Sequence, residues 1–254
     1  MTVSTKFIMD TLTRLRNTIR QRRNTGVSRT ESRRIKSHAK INQKCNEFVD
    51  NEKNYCQNLI TGRKLFSKVC RSIENIEEGL TVPQSISEHG ELFLEAYDAF
   101  NEIVLFQEQF AVEIEKSIRQ PSGLLQVFQA RGLAMKSKYS NYVRRHHKIQ
   151  KLISANLVFF RENIDQTDDE NPNMRRTFQD ELNRPGRWIG TYGLIFKDFY
   201  KIAMKHLSII KLSCNYEGIL KIVGDICDGV NDNLILCNVD NFPLDLIIDR
   251  QGQW

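Results

Sequence analysis

Apolar residues recur every three or four positions through most of the chain, the period of an amphipathic helix. Over residues 5–23, Phe7, Ile8, Leu12, Leu15 and Ile19 keep that spacing while arginines and polar residues fill most other positions. This predicts a short basic amphipathic helix. The next run, RNTGVSRTESRR, has no apolar period and contains a glycine, so it reads as a linker. A long helix is predicted from Ile41, with Ile41, Cys45, Phe48, Tyr55, Leu59 and Phe66 on one face and Gly79 to Pro83 closing the region. A second runs from Ser87 to Ile118, with Leu92, Ala96, Phe100, Ile103, Phe106, Phe110 and Ile114 in phase. Pro121-Ser122-Gly123 breaks it, and a third follows over Leu124 to Arg161 with a kink expected near Gly132.

Residues 163–173, NIDQTDDENPN, read as a surface loop by composition. Beyond it the pattern predicts a segment over Met174–Leu182, a helix through Trp188–Leu212 and a last helix. That last helix carries Tyr216, Ile219, Leu220, Val223, Ile226, Cys227 and Val230. In the tail, Leu246-Ile247-Ile248 followed by Asp249 to Gly252 resembles a strand entering a turn. With only 5 prolines and 13 glycines the chain suits long helices better than a turn-rich β fold. The expected fold is all-α: an elongated bundle of about six helices with a short C-terminal strand-like tail. The expected division is an arm and linker over 1–40, a helical domain over 41–236, and a tail over 237–254.

Charge changes this picture at one end. Residues 1–44 hold twelve Lys and Arg against Asp10 and Glu31, whereas the rest holds 25 basic and 29 acidic residues. A basic arm on a mildly acidic body favours anionic surfaces, and it admits three readings: a solvated tail, a lipid-surface anchor, or an autoinhibitory helix. The anionic partners it suits are lipid headgroups, nucleic acid or an acidic protein surface, and of these nucleic acid is not expected here. The six cysteines form no C-x-x-C pair and most sit at helical spacing among apolar residues, which suits small core residues of a reduced, intracellular protein. The longest apolar run, around Ile153–Phe160, is too short to span a bilayer.

Catalytic constellations are missing from the sequence: there is no P-loop, dinucleotide fingerprint, zinc-protease pattern or nucleophile elbow. His146 and His147 are helical neighbours about 100° apart, which rules out chelation of one metal by the pair. Asp168, Asp169 and Glu170 read as a solvated loop, and Trp188 as a packing residue. Glu52 is the conspicuous position, because it falls on the apolar stripe between Phe48 and Tyr55. Either it lies at the edge of that stripe beside a lysine, or it is a carboxylate kept for a partner protein.

The segment Phe48-Val49-Asp50-Asn51-Glu52-Lys53-Asn54-Tyr55, with Leu59 beyond it, resembles the first signature block of Dbl-homology domains, an acid three residues before Tyr with Leu four further on. Phe100-Asn101-Glu102-Ile103 with Phe110 is similar to the family's second-helix pattern. Gly123 to Phe128, then Tyr139-Ser140-Asn141-Tyr142, is similar to its Gly, Phe and Tyr-x-x-Tyr block. Leu182, Pro185, Ile189, Tyr192, Leu194 and Lys197 keep the register of the family's Leu-x-Lys-Pro-x-Gln-Arg-Ile-x-x-Tyr-Pro-Leu-Leu-Leu-Lys block, and Val230-Asn231-Asp232 resembles the close of its last helix.

The resemblance implies a guanine nucleotide exchange factor for a Rho-family small GTPase, working without a cofactor, a metal or covalent catalytic residues. By position, Glu52 would meet switch 1, and Arg184 and Asn231 would meet switch 2. The tail would open a truncated pleckstrin-homology domain, and the protein would be cytoplasmic, peripheral at an anionic membrane if the basic arm engages one. Arg184 replaces the family's Lys, Arg187-Trp188 replaces Gln-Arg, and Gly186, Gly190 and Gly193 burden the supposed helix by about 1 kcal/mol each. These departures keep other readings open. One is a Dbl-like GTPase-binding or scaffold module silent in exchange, and another is a membrane-binding helical bundle. For the glycine-rich stretch itself, the alternative is a loop with a helix starting near Tyr192.

Overall fold

The computed structural model describes the backbone of residues 3–74, 81–167, 175–205 and 210–239. Side chains are described within these from residue 35 onward, except at 37, 166–167, 175–176, 210–212 and 234–239. The helices are α1 (Val3–Ile73), α2 (Gln84–Ser87), α3 (Gly90–Ser117), α4 (Pro121–Ala155), α5 (Leu157–Asn163), α6 (Phe178–Met204) and α7 (Ile210–Val239). The fold is all-α, as the hydrophobic period predicts. No helix among the described residues is long and apolar enough to cross a membrane.

α1 is a single helix of 71 residues, about 107 Å long at 1.5 Å per residue. It runs straight through the segment expected to be a linker. That segment contains no proline, and its one glycine, Gly26, costs only about 1 kcal/mol in a helix. Polar helix formers need no apolar period to continue a helix already nucleated on either side. Ile41 is the first core residue among the described side chains of α1, as the pattern predicts.

Five long helices build the bundle. α1 pairs with α3 in the opposite direction, marked by Lys53–Glu115 at 2.6 Å and Arg63–Asn101 at 3.2 Å. α3 pairs with α4 through Arg131–Glu113, Lys138–Glu102 and Arg145–Glu95. α6 descends against α1, with Phe48 meeting Phe196 and Phe66 meeting Phe178 edge-on at 5.4 Å each. α7 packs along α4 and α6. A Cβ on Gly132 would sit 2.8 Å from Ile222, so this glycine lets α4 and α7 approach closely. α4 stays helical through Gly132 and breaks at Asn156.

Three further expectations are revised. The ends of the surface loop pair as a short antiparallel ladder, Gln166 with Arg176 and Thr167 with Arg175. The helix expected through Leu212 ends at Met204, and α7 begins at Ile210. α7 also continues past Val230-Asn231-Asp232 to Val239, because the Leu-Ile-Leu run that follows sustains it. The strand-like segment at Leu246–Ile248 and the Asp168–Glu170 loop lie outside the described residues.

Aromatic side chains fill the centre. Phe66 is fully buried and edge-packed on Tyr97, Phe100 and Phe178, which joins α1, α3 and α6 at one point. Phe66→Ala should destabilise the fold by about 3–5 kcal/mol, read as a lower midpoint in urea denaturation at unchanged m-value.

Candidate functional site

α6 begins at a cap. The Thr177 hydroxyl oxygen accepts the Asp180 amide at 3.0 Å, with Asp180 and Glu181 in the positive first turn. From there the helix is continuous through Pro185 and the three glycines, so the loop alternative does not hold. The apolar stripe Leu182, Pro185, Ile189, Tyr192 and Phe196 faces the core and outweighs the glycine cost. Gly186 and Gly190 stand on the exposed side, with no atom within 4 Å of a Cβ placed on either.

This placement brings α6 onto Glu52. The Glu52 side chain is neither at the edge of its stripe nor beside a lysine: its exposure is 0%. Gln107 Nε2 on α3 donates to Oε2 at 2.6 Å, and the Tyr192 hydroxyl donates to the same oxygen at 3.1 Å. Trp188 Nε1 donates to Oε1 at a longer 3.3 Å. Gln107 Nε2 also reaches the Tyr192 oxygen at 2.9 Å. Behind Gln107, the Tyr139 hydroxyl on α4 donates to Gln107 Oε1 at 3.0 Å. Tyr139 has then used its proton, so in the 3.0 Å Tyr55–Tyr139 contact Tyr55 is the donor.

The donors form a relay, Tyr55 to Tyr139 to Gln107 to Glu52, that terminates on a carboxyl group with no cationic partner among the described residues. Burial pushes the Glu52 carboxyl up to about 8, opposed by the hydrogen bonds from Tyr192, Trp188 and Gln107. Burial also holds the Tyr55 and Tyr192 hydroxyls well above their ordinary range, so both stay protonated donors. The Trp188 ring stacks on Tyr55, centroids 4.4 Å apart and 15° from parallel. It packs, as expected of it, and it also closes Glu52 off from the neighbouring surface.

The other two predicted residues lie nearer solvent. Arg184 grips Glu181 with two hydrogen bonds, Nε to Oε2 at 2.8 Å and Nη2 to Oε1 at 2.7 Å. Its side chain is 33% exposed, against 1% for Glu181. Asn231 on α7 is exposed. α6 and α7 run antiparallel, with Cys227 Sγ against the Ile189 carbonyl at 3.8 Å and Gly193 beside Val223. Extending that pairing sets Asn231 level with Pro185 along α6. Arg184 and Asn231 thus lie toward the same end of the α6–α7 pair, while Glu52 is enclosed and bonded to Trp188.

The outward face of α6 is formed by Gly186, Arg187, Gly190 and Leu194, with Arg187 70% and Leu194 67% exposed. Gln107 was not singled out in the sequence, although it sits on the core stripe of α3 between Ile103 and Phe110. A lone amide on an apolar face was the available signal.

The RhoGEF domain model matches residues 44–213, about two thirds of the chain. No curated protein sequence matches it. Among solved structures, the DH/PH domains of p115-RhoGEF in a point-mutant form align at 16% identity with a TM-score of 0.53, over 81% of this chain and 59% of theirs. The linker-DH/PH domains of p115-RhoGEF align at 14% identity with a TM-score of 0.55, over 81% and 61%. The chain therefore spans about three fifths of the length of these structures, and the likeness is one of fold.

A raised carboxyl predicts a pH signature. Because the folded state holds the Glu52 proton more tightly than the unfolded chain, its contribution is complete below about pH 4.3 and declines as pH rises toward about 8. Glu52→Gln should remove that decline, on the order of a few kcal/mol, when urea stability of the two proteins is compared between pH 5 and 9.

Proposed function

The chain belongs to the RhoGEF domain family, and on that premise we propose that it binds the switch regions of a Rho-family small GTPase and promotes GDP release. Such a module performs no covalent chemistry. It lowers the barrier to release by binding the nucleotide-free state more tightly than the nucleotide-bound one, so its action lies in differential affinity.

The observation that carries this reading is the outward face of α6. Its two glycines carry no packing role, and each costs the helix about 1 kcal/mol relative to alanine. On a rigid helix, that cost is explained by an approaching chain that needs the room. Arg184 stands partly exposed on the same helix, Asn231 is exposed on the neighbouring α7, and the exposed Leu194 offers an apolar contact. Held in its fork by Glu181, Arg184 is pre-oriented and loses little side-chain freedom on binding.

Glu52 enters this reading through Trp188. A partner can reach its carboxylate only when the indole swings off Tyr55, which breaks one weak hydrogen bond, the ring stack on Tyr55 and an edge contact with Tyr192. Opening readmits water, returns the carboxyl toward its ordinary range and makes it an acceptor for backbone amides of switch 1. The same enclosure favours the second reading, a module that captures the GTPase without releasing nucleotide, if the indole stays in place.

Release of a fluorescent guanine nucleotide from a panel of Rho-family GTPases tests the proposal. The folded chain should accelerate release from at least one member, and Arg184→Ala and Asn231→Ala should each slow that release about tenfold without loss of helicity. No acceleration, but retention of a nucleotide-free GTPase on the immobilised chain, would assign the binding-only role. Trp188→Phe, which keeps the stack but lacks the donor to Glu52, should raise the exchange rate if indole opening limits it.

A further inference from the structure

A second feature lies on the same helix, about 22 Å along α1 from Glu52 at 1.5 Å per residue. Arg63, Lys64, Ser67, Lys68 and Arg71 recur at one-turn spacing on one face of α1 and, with Tyr97 of α3, line an open cleft of about 350 Å³. Every charged residue of that lining is a cation.

The ion pairing elsewhere makes this unusual. Where α1 meets α3 near its middle, Lys53 is paired with Glu115, and across α3 and α4 Arg131, Lys138 and Arg145 each meet a glutamate. In the cleft none of the four cations forms an ion pair with a described carboxylate. Two are tied to neutral oxygens: Arg63 Nη1 donates to Asn101 Oδ1 at 3.2 Å, and Lys68 Nζ to the Asn163 carbonyl at 2.7 Å. These bonds hold the side chains in place without neutralising them. Lys64 and Arg71 are exposed and make no hydrogen bond with described residues. Four like charges within two helical turns repel one another, and a polyanion would relieve that repulsion.

We propose that this cleft is a binding site for a phosphorylated inositol, either as a membrane lipid headgroup or as a free inositol polyphosphate. Two guanidinium forks offer paired donors to phosphate oxygens, and two ammonium groups supply point charge between them. The Ser67 hydroxyl and the Tyr97 side chain complete a lining suited to a ring that carries several phosphates. The volume falls at the small end of ligand pockets, which fits a headgroup. Arg63 and Lys68, held by Asn101 and Asn163, form the fixed floor, and Lys64 and Arg71 close over the ligand from solvent.

The test uses the full chain and three proteins: wild type, Lys64→Ala/Arg71→Ala, and an Arg22→Ala/Arg23→Ala control that removes the same charge from the basic N-terminal part of α1. Calorimetric titration with inositol hexakisphosphate should show saturable binding by wild type and the control, weakened about tenfold in the cleft variant. Inorganic phosphate should compete only weakly. Co-sedimentation with phosphatidylcholine vesicles then assigns the source. Preference for vesicles bearing a phosphatidylinositol bisphosphate over charge-matched phosphatidylserine vesicles, lost in the cleft variant, assigns the lipid headgroup. Absence of that preference with the calorimetric result intact assigns a soluble polyphosphate. Equal weakening in both variants, or no saturable binding by wild type, overturns the site. Unliganded nucleotide release by the cleft variant should match wild type, so failure here leaves the exchange proposal standing.

Discussion

A carboxyl group without exposure and without a cation has to be met by donors at fixed distances, and in this bundle those donors come from separate helices. Gln107 on α3 and Tyr192 and Trp188 on α6 all converge on Glu52 of α1, and Tyr139 of α4 orients Gln107. Each bond constrains both the height of one helix against another and its rotation. A shift of α6 by one residue would turn its face by about 100° and strip Glu52 of two partners at once. Apolar packing alone tolerates such slips better, since one ring can replace another. A buried polar network does not, because each orphaned donor or acceptor costs about 1–3 kcal/mol. On these grounds the relay fixes the register of four helices.

That register decides what is left for the outside. With Tyr192 and Trp188 committed inward and Ile189 and Cys227 holding α6 to α7, the opposite side of α6 presents its glycines, Arg187 and Leu194 to solvent. One helix thus satisfies an interior carboxyl on one face and offers an open surface on the other. Trp188 belongs to both, since its ring shields Glu52 and borders Arg184 one turn away. The distribution of ion pairs is just as uneven. Glutamates neutralise the cations between α3 and α4, while those along residues 63–71 of α1 remain unmatched by described carboxylates.

Much of this was legible in the residues. The three-four spacing of Ile41, Cys45, Phe48, Tyr55, Leu59 and Phe66 marked the buried stripe of α1 correctly, because side chains on one face of a helix must share one environment. The ordered blocks around Glu52, Tyr139-Tyr142 and Leu182–Lys197 pointed to the RhoGEF family, and Glu52 stood out as a charge on an apolar face. Element ends were read less well. The expected linker at residues 23–34 is helix, and α7 runs beyond Asp232, because a helix continues until something stops it and polar composition alone does not.

What the sequence by itself determined is the periodic pattern: which faces are apolar, hence an all-α bundle, and which residues carry the family's motifs. Only the tertiary structure decided that Glu52 is enclosed, that Gln107 makes its shortest hydrogen bond, that Arg184 is locked to Glu181, and that the cations of residues 63–71 gather against Tyr97. The physical reason is that a residue's period fixes its direction on its own helix, whereas its partners depend on the helices that arrive opposite. Glu52 and Tyr192 are 140 residues apart, and no local pattern encodes the hydrogen bond between them.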